Sequence, residues 1–446
     1  MRFLIVGGDA AGMSAASRAK RNNPDLDVMV LEKSGDVSYS ACGMPYNIAD
    51  PDRDMNDLIV RPAAVFREKQ GIQVLTEHDV QSIDPKNKLI SGASLKSERF
   101  EYGYDQLLIA TGAGAIRPGL SGFELPGVMV LKGLEDGRKI KRFLATNEVK
   151  KVIIIGMGYI ALEMAEALRA RKIQVDMVKP RPVFLPWMEQ GMAEAVKVGM
   201  EQKGVRLYPG HEIQSIDSTG NGYQVVCSDL SLKGDMVLVA VGVKPNSRIA
   251  AAAGLQLSVD DAIAVDHGLR TSDPNIFAAG DCADAYHIVT QKKVWIPLAL
   301  RASRAGWAVA DNVCGKNIRL QGVAGTAVFR VFDFEVARTG LNAAEAAAAG
   351  FDPAAVTIEA RSRAHAHPGS SAIRVYLVGD KRSGRLLGAH MIGREGVAHR
   401  INALAVALHN RMTVENFSQS DLAYAPPFGP TWDPMLTAAN QLVKKL

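Results

Sequence analysis

Two copies of one strand, glycine turn and helix pattern constrain the fold of this chain more than any other feature. The first copy has a buried strand over Arg2–Val6, the turn Gly7-Gly8-Asp9-Ala10-Ala11-Gly12, a helix from about Met13 to Asn22 and a strand over 27–31. The second has a strand over 151–155, the turn Gly156-Met157-Gly158-Tyr159-Ile160-Ala161, a helix over 162–171 and a strand over 174–178. Such β–α–β units bind the pyrophosphate of a dinucleotide at the helix N-terminus, so the pattern predicts two dinucleotide sites.

Residue types around the first turn fit this role. Gly7 permits the tight turn, Gly12 permits close packing of helix and strand, and Glu32, with Lys33 beside it, ends the second strand where it can accept hydrogen bonds from ribose hydroxyls. Asp9 departs from the pattern because it stands where a second glycine is usual.

The second unit ends without an acid. Lys179 and Arg181 follow its second strand, and cations there suit a ribose 2′-phosphate. One interpretation is therefore use of NADPH, alone or together with NADH. The other is a solvated basic turn, and the sequence leaves both open.

Length, composition and net charge indicate a globular protein of more than one domain. The chain has 446 residues, too many for one core, with 47% hydrophobic and 22% charged residues, as in ordinary globular proteins. A net charge of +5 without a basic run argues against nucleic acid as a partner. The N-terminus lacks a signal-peptide pattern and no stretch is apolar enough to span a bilayer, so we expect a cytoplasmic protein without a membrane partner. The four cysteines show no metal-ligand spacing, so we expect no metal.

One cysteine stands in a setting that favours chemistry. Cys42 lies in Ser38-Tyr39-Ser40-Ala41-Cys42-Gly43-Met44-Pro45, soon after the first nucleotide unit. A thiol reacts as the thiolate, and positive charge or a helix N-terminus lowers its pKa. Taken alone, Cys42 is better explained as a small packed residue, the usual fate of a free cysteine, and it is the surrounding motifs that favour a chemical role.

Two further segments fall at strand ends. Leu107 to Ile109 leads into Ala110-Thr111-Gly112, and Ile276 to Ala278 leads into Ala279-Gly280-Asp281, whose acid is placed to bind a polyhydroxyl chain. A helix is predicted to start at Pro297-Leu298-Ala299, and its N-terminal dipole could face an electron-rich ring. From about residue 325 the pattern changes to a compact α+β domain, with predicted strands at 327–332, 357–360 and 373–378 and predicted helices at 343–349 and 396–409.

Together these motifs resemble the flavoprotein pyridine nucleotide–disulfide oxidoreductases over essentially the whole chain. The run Cys42-Gly43-Met44-Pro45-Tyr46 is similar to the single-cysteine branch, which contains coenzyme A-disulfide reductases and CoA-dependent NAD(P)H polysulfide or persulfide reductases. The resemblance implies an α/β fold with two Rossmann-like domains and a C-terminal α+β dimerisation domain. The implied divisions are 1–114 with 245–322 for FAD, 115–244 for NAD(P) and 323–446 for a homodimer interface.

The resemblance also implies roles for individual residues. FAD would contact Gly7, Gly12, Glu32, Lys33, Thr111, Gly112, Asp281, Pro297, Leu298 and Ala299. The nicotinamide cofactor, NADPH or NADH, would contact Gly156, Gly158, Tyr159, Ala161, Glu163, Lys179 and Arg181. Coenzyme A, as substrate or as a mixed disulfide on Cys42, would contact Arg18, Arg21, Ser38 and Phe428. Tyr424 would protonate the leaving thiol in the partner's active site.

His367 departs from the family pattern. It stands before Pro368-Gly369, where coenzyme A-disulfide reductases tend to have a tyrosine, so it is either a proton donor or an exposed loop residue. The expected reaction is FAD-dependent reduction of a disulfide, persulfide or polysulfide by NAD(P)H through Cys42. Two alternatives stay open: an NAD(P)H oxidase that uses a Cys42 sulfenic acid, and a flavoprotein redox sensor with slow turnover. The first turn holds Ala10 and Ala11 where oxidases and peroxidases of the branch place a histidine.

Overall fold

The computed structural model describes all 446 residues, which form twenty-five strands and twelve α-helices. The strands are β1 Arg2–Val6, β2 Asp27–Leu31, β3 Gln73–Leu75, β4 His78–Asp84, β5 Leu89–Ser94, β6 Arg99–Gly103, β7 Gln106–Ile109, β8 Ala113–Ala115, β9 Val128–Val130, β10 Lys151–Ile155, β11 Gln174–Lys179, β12 Val205–Pro209, β13 Ile213–Thr219, β14 Gly222–Cys227, β15 Ser231–Gly234, β16 Met236–Val239, β17 Val243–Pro245, β18 Ile276–Ala278, β19 Ala285–Tyr286, β20 Lys293–Val294, β21 Ala327–Val331, β22 Phe334–Gly340, β23 Pro353–Arg361, β24 Ala372–Asp380 and β25 Leu386–Gly393. The helices are α1 Ala10–Asn22, α2 Met44–Ala49, α3 Ala63–Gln70, α4 Leu134–Thr146, α5 Tyr159–Ala170, α6 Gln190–Gln202, α7 Arg248–Ala252, α8 Ala299–Val313, α9 Ala343–Ala348, α10 Val397–His409, α11 Val414–Ser418 and α12 Pro434–Val443.

The first sheet is parallel, in the order β18–β7–β1–β2–β3. Its central strands are apolar and almost entirely buried, as strands covered on both faces must be. The last strand to join, β18, comes from a segment more than 160 residues after β7, so the sheet is completed by distant parts of the chain. Helix α1 begins at Ala10, three residues earlier than its apolar pattern predicts, because the helix starts inside the glycine turn.

The second sheet repeats this arrangement. All of its strands are parallel, in the order β12–β11–β10–β16–β9. Helix α5 begins at Tyr159, directly after its own glycine turn, rather than at residue 162. The carboxyl end of β10 therefore faces a helix N-terminus, as the carboxyl end of β1 does, which is the geometry that dinucleotide-binding units require.

The third sheet is antiparallel, in the order β21–β22–β25–β24–β23. The segments predicted as strands at 327–332, 357–360 and 373–378 all lie in it. The strands β22 and β25, which are second and third in this order, were not predicted. Every residue of β25 is buried, so this strand carries none of the alternation between apolar and polar residues that marks a half-exposed strand.

Elements of the three units pack against one another near Cys42. Helix α2, which follows Cys42, packs on α5 of the second unit, and Tyr159 at the start of α5 contacts Phe329 on β21 of the third. Groups from all three units are thereby brought to one region. No helix in the structure is long and apolar enough to cross a bilayer.

Candidate active site

The first glycine turn forms a tight backbone cradle. A Cβ on Gly7, whose φ is +110°, would lie 2.1 Å from the carbonyl oxygen of Ala110, and one on Gly12 would lie 1.9 Å from the carbonyl oxygen of Gly7. The backbone of the turn is therefore exposed to whatever lies over the N-terminus of α1, where amide groups favour an anion. This cradle fits the pyrophosphate of a dinucleotide.

Carboxylates surround the cradle. Glu32 at the end of β2 accepts hydrogen bonds from the Gly8 amide at 2.7 Å and from the Ser34 amide and hydroxyl at 2.7 and 2.8 Å, which holds it at the edge of the turn. Lys33 beside it is exposed. Burial raises the pKa of Asp9 to about 6; the Tyr39 amide and Lys132 oppose this, while the charges of Glu32 and Asp281 add to it.

The turn at Thr111 and Gly112 is tied to the end of β17. The Thr111 hydroxyl donates to the Asn246 carbonyl at 2.7 Å, and the Asn246 side chain donates back to the Thr111 carbonyl at 2.8 Å. Gly112 has a φ of +68°, which favours glycine. These bonds fix the chain at the point where it leaves the first unit.

Asp281 has a partner that the sequence did not reveal. Lys132, which follows β9, lies 3.2 Å from the Asp281 carboxylate, and the Trp295 indole donates to the Asp281 carbonyl at 2.8 Å. The pair holds the carboxylate in place at the carboxyl end of β18. Nothing local marks Lys132, because a single lysine between a strand and a helix is ordinary; only the fold places it here.

Several of these charged groups, Asp9, Lys132 and Asp281, act on the thiol of Cys42. Cys42 occupies a 3₁₀ turn, Ala41–Gly43, just before α2, and its side chain is exposed and free of any disulfide. Partial desolvation of the thiol by the protein around it raises its pKa, and the charges of Glu163, Asp281 and Asp9 raise it further, while Lys132 lowers it. In the protein alone, carboxylates outnumber cations among the charges that act on this thiol, and α2, which follows it, has only six residues.

Glu163 is the largest charged influence on Cys42. It lies on α5 and accepts a hydrogen bond from the Tyr46 hydroxyl at 3.0 Å. Burial raises the pKa of Glu163, and the Tyr46 hydrogen bond opposes that rise. The pair links the Cys42 segment to the helix of the second unit, and the sequence offered no reason to single out Tyr46.

The second glycine turn differs from the first in its steric limits. A Cβ on Gly156 would lie 2.2 Å from the Ala240 carbonyl oxygen, whereas one on Gly158 would meet nothing within 4 Å. Ala161 is fully buried. Tyr159 is partly buried, with its ring 5.4 Å from that of Trp187 and 4.9 Å from that of Phe329. The Tyr159 ring, predicted to contact the nicotinamide cofactor, thus belongs to an aromatic cluster.

The two cations at the end of β11, Lys179 as its last residue and Arg181 beyond it, are not equivalent. Lys179 is only 9% exposed, its ammonium donates to the Val183 carbonyl at 2.6 Å, and burial followed by the charge of Arg181 lowers its pKa. Arg181 is exposed. The available cation for a ribose phosphate is therefore Arg181.

A cavity of about 350 Å³ connects the Cys42 segment with helices α1 and α8. Ser38 and Tyr39 lie at one part of its wall, and Arg21, Arg61 and Trp307 at others. Arg21 and Ser38 are thus placed together, as predicted for substrate contacts.

Arg18 does not line this cavity. Its guanidinium forms a bidentate pair with Asp311 at 3.0 and 3.2 Å. Burial would raise the pKa of Asp311, but hydrogen bonds from Arg18, Asn22 and Lys316 lower it to about 2. Arg18 therefore ties α1 to α8, and the cavity wall carries Arg61 where the sequence suggested Arg18.

The two residues predicted to act across a dimer are exposed and are not part of the cavity lining. Tyr424 and Phe428 are 50% and 77% exposed, and neither lines the cavity beside Ser38. The loop that holds His367 is hydrogen-bonded to their segment, since the Ala364 amide donates to the Pro426 carbonyl at 3.1 Å. The His367 ring contacts only the neighbouring Pro368 carbonyl, at 3.0 Å.

The first turn of α8 lies beside the segment after β18, since a Cβ on Gly280 would lie 3.7 Å from the Cβ of Ala302. Pro297 and Leu298 precede the helix and Ala299 begins it. A Cβ on Gly306 would lie 2.2 Å from the Ala11 carbonyl oxygen, so α8 packs directly on α1. The Lys132–Asp281 pair, whose aspartate follows β18, also acts on the Cys42 thiol, and this arrangement suits redox chemistry between a bound dinucleotide and sulfur.

This fold and site define a pyridine nucleotide–disulphide oxidoreductase, and the chain belongs to that family. The family model matches residues 1–306, and the model of its dimerisation domain matches residues 326–435. It is thus an NAD(P)H-dependent flavoprotein reductase with FAD as its cofactor.

The names of individual relatives are more specific than the name of the family. The chain is 34% identical over 443 residues to the NAD(P)H sulfur oxidoreductase (CoA-dependent) of Pyrococcus furiosus, covering 99% of each chain. It is 32% identical over 447 residues to the NADH oxidase of Methanocaldococcus jannaschii, covering 100% of this chain and 99% of the relative. Among solved structures, an NAD-dependent persulfide reductase from A. fulgidus is similar with a TM-score of 0.96 and 36% identity, over 100% of this chain and 83% of that one.

Proposed function

We propose that this protein uses NAD(P)H to reduce a coenzyme A disulfide or a CoA persulfide or polysulfide through Cys42. The observation that carries the proposal is the cavity lined by Ser38 and Tyr39, four and three residues before Cys42 in the chain, and by the cations Arg21 and Arg61. These cations would bind the phosphate end of an external thiol, whose sulfur would react with Cys42, a thiol without a neighbouring cysteine. The relatives named for CoA-dependent sulfur and persulfide reduction support this reading.

The reaction balances through one mixed disulfide. Two electrons and a proton cleave the bond between Cys42 and CoA, releasing CoA thiol and leaving the Cys42 thiolate. That thiolate attacks one sulfur of the next acceptor, forms a new mixed disulfide and expels the other sulfur as a thiolate that takes a proton. Overall, NAD(P)H, one proton and one disulfide give NAD(P)⁺ and two thiols.

The residues that fit FAD are those of the first unit. Gly7 and Gly12 would admit its pyrophosphate, Glu32 with Lys33 its ribose end, Thr111 and Gly112 its middle, and Asp281 with 297–299 the far end. FAD, when bound, supplies the redox centre between the nicotinamide and sulfur. Lys132 holds Asp281 in place and is the one cation that favours the Cys42 thiolate.

A homodimer would complete the site. We propose that Tyr424 and Phe428, both exposed on the dimerisation domain, enter the cavity of the partner subunit, where the partner subunit's Tyr424 would protonate the departing thiolate. The His367 loop is bonded to the same segment and would lie at the same interface. Exposed aromatic side chains of this size support an interface because they gain most from burial.

A second candidate is an NAD(P)H oxidase in which Cys42 cycles through sulfenic acid. The Methanocaldococcus jannaschii relative named NADH oxidase favours it. In that reaction oxygen would be the acceptor, and coenzyme A would make no difference to the rate.

The test compares acceptors with a cysteine control. Anaerobic NAD(P)H oxidation is followed with CoA disulfide and CoA persulfide, and intact-mass analysis examines Cys42 for a thiol-labile CoA adduct. Cys42→Ser should keep bound FAD and its reduction by NAD(P)H but lose acceptor turnover by more than a hundredfold. Cys314→Ser, at a partly exposed cysteine elsewhere, should change neither. Turnover retained in Cys42→Ser, or oxygen consumption that no CoA acceptor surpasses, would refute the proposal.

A further inference from the structure

An indole ring stands on the wall of the cavity with no function in the reaction described above. Trp307 lies on α8 and is 49% exposed. Large aromatic side chains gain substantially from burial, so one that a rigid helix presents to a cavity is available to a ligand.

Cations flank this ring. The guanidinium carbons of Arg18 and Arg21 lie 5.6 and 6.0 Å from its centroid, within cation–π range. Arg18 is held by its pair with Asp311, so this neighbour of the ring is fixed. Arg21 lines the cavity together with Arg61, and both guanidinium groups can bind phosphate oxygens.

An aromatic face beside two arginines suits a particular ligand chemistry. A purine base stacks on the indole, and the phosphates attached to the nucleoside bind the guanidinium groups. Glu32 and Lys33, which are predicted to contact the ribose end of FAD, do not line this cavity, so the cavity is open to a second nucleotide. Ser38 and Tyr39, which precede Cys42 by four and three residues, lie on its wall.

We propose that Trp307 is the platform on which the adenine of the sulfur acceptor stacks, so that the enzyme selects thiols carried on an adenine nucleotide. This rests on the proposed function, which it deepens. Glutathione disulfide, protein disulfides and free polysulfide lack the base and would bind without this contact.

The experiment removes the base from the acceptor and the ring from the enzyme. Steady-state constants of the FAD-loaded dimer are measured for CoA disulfide and for pantetheine disulfide, which keeps the thiol arm but lacks the nucleotide. Trp307→Ala should raise KM for CoA disulfide about tenfold, as loss of one stacked base does, and leave kcat unchanged. KM for pantetheine disulfide should stay as in the wild type. Trp307→Phe should restore most of the preference, and Arg304→Ala, exposed on the same helix outside the cavity, should change neither KM.

Binding of free coenzyme A to the same variants separates this inference from the proposed function. Binding that weakens in Trp307→Ala and recovers in Trp307→Phe supports the adenine subsite even if no acceptor turns over, in which case the proposed function fails alone. Equal KM increases for both disulfides in Trp307→Ala would show a structural role and overturn the inference. A wild-type preference for CoA disulfide that Trp307→Ala leaves intact would overturn it as well.

Discussion

Replacement of Gly12 by alanine tests the cradle assigned to FAD. The new methyl carbon would lie 1.9 Å from the Gly7 carbonyl oxygen, about 1.5 Å short of the 3.4 Å at which ordinary contact begins. Gly7 cannot retreat, because the position of its own absent Cβ is already filled by the Ala110 carbonyl oxygen at 2.1 Å. Helix α1 must therefore move. Overpacking of this kind costs about 1–3 kcal/mol.

That strain falls on the groups that would bind pyrophosphate. If the shift of α1 is relieved in the FAD-free protein, the affinity for FAD falls by about ten- to a hundredfold, since about 1.4 kcal/mol corresponds to a factor of ten. The measurements are flavin absorbance per chain after purification and FAD titration of the apoprotein. Gly158→Ala is the matched control, because its methyl would meet nothing within 4 Å and its φ of −88° suits any residue. A Gly12→Ala protein with full flavin content and wild-type affinity would refute the reasoning.

Three further predictions concern the charges around the site. Glu163→Gln should lower the pKa of Cys42, because the Glu163 carboxylate raises it, so the rising limb of the pH–rate profile for acceptor reduction should move to lower pH. Tyr46→Phe keeps the carboxylate and should not move the limb to lower pH. An unshifted limb in Glu163→Gln would contradict the assignment. Arg181→Ala should raise KM for NADPH about tenfold and leave KM for NADH unchanged, since a charge-assisted hydrogen bond to phosphate contributes about 1.5–3 kcal/mol; equal changes for both cofactors would argue against a 2′-phosphate contact. Lys132→Met should slow acceptor reduction at neutral pH and shift its rising limb upward, because the one cation that lowers the pKa of Cys42 is lost, and a downward shift would be inconsistent with the geometry.

Sequence reasoning worked where neighbours in the chain decide the outcome. The strands Arg2–Val6, Asp27–Leu31 and Lys151–Ile155 were predicted with the bounds that the structure has, because a short apolar run before a glycine turn has few alternatives. The start of both helices was predicted three residues late. Their first turns contain small residues without an apolar pattern, so periodicity carries no signal there.

The charged pairs could not be predicted from the sequence, because their members are not neighbours in the chain. Lys132 and Asp281 are separated by about 150 residues, and Arg18 and Asp311 by almost 300, so no spacing links either pair. Their contacts depend on how β9, β18, α1 and α8 pack. The sequence correctly indicated a cationic segment after β11, but only the buried hydrogen bond of Lys179 to Val183 shows which of its two cations is free.

By itself the sequence determined that this chain contains two dinucleotide units and that Cys42, soon after the first of them, has no neighbouring cysteine, because turns, short strands and cysteine spacing are local properties. Tertiary structure alone decided the electrostatics of that thiol and the walls of its cavity. Glu163, Lys132 and Asp281 act on Cys42 from three different segments, and Trp307 meets Arg21 only because Gly306 lets α8 lie against α1. Charge interactions and stacking depend on distance in space, and that distance is set by packing between segments far apart in the chain.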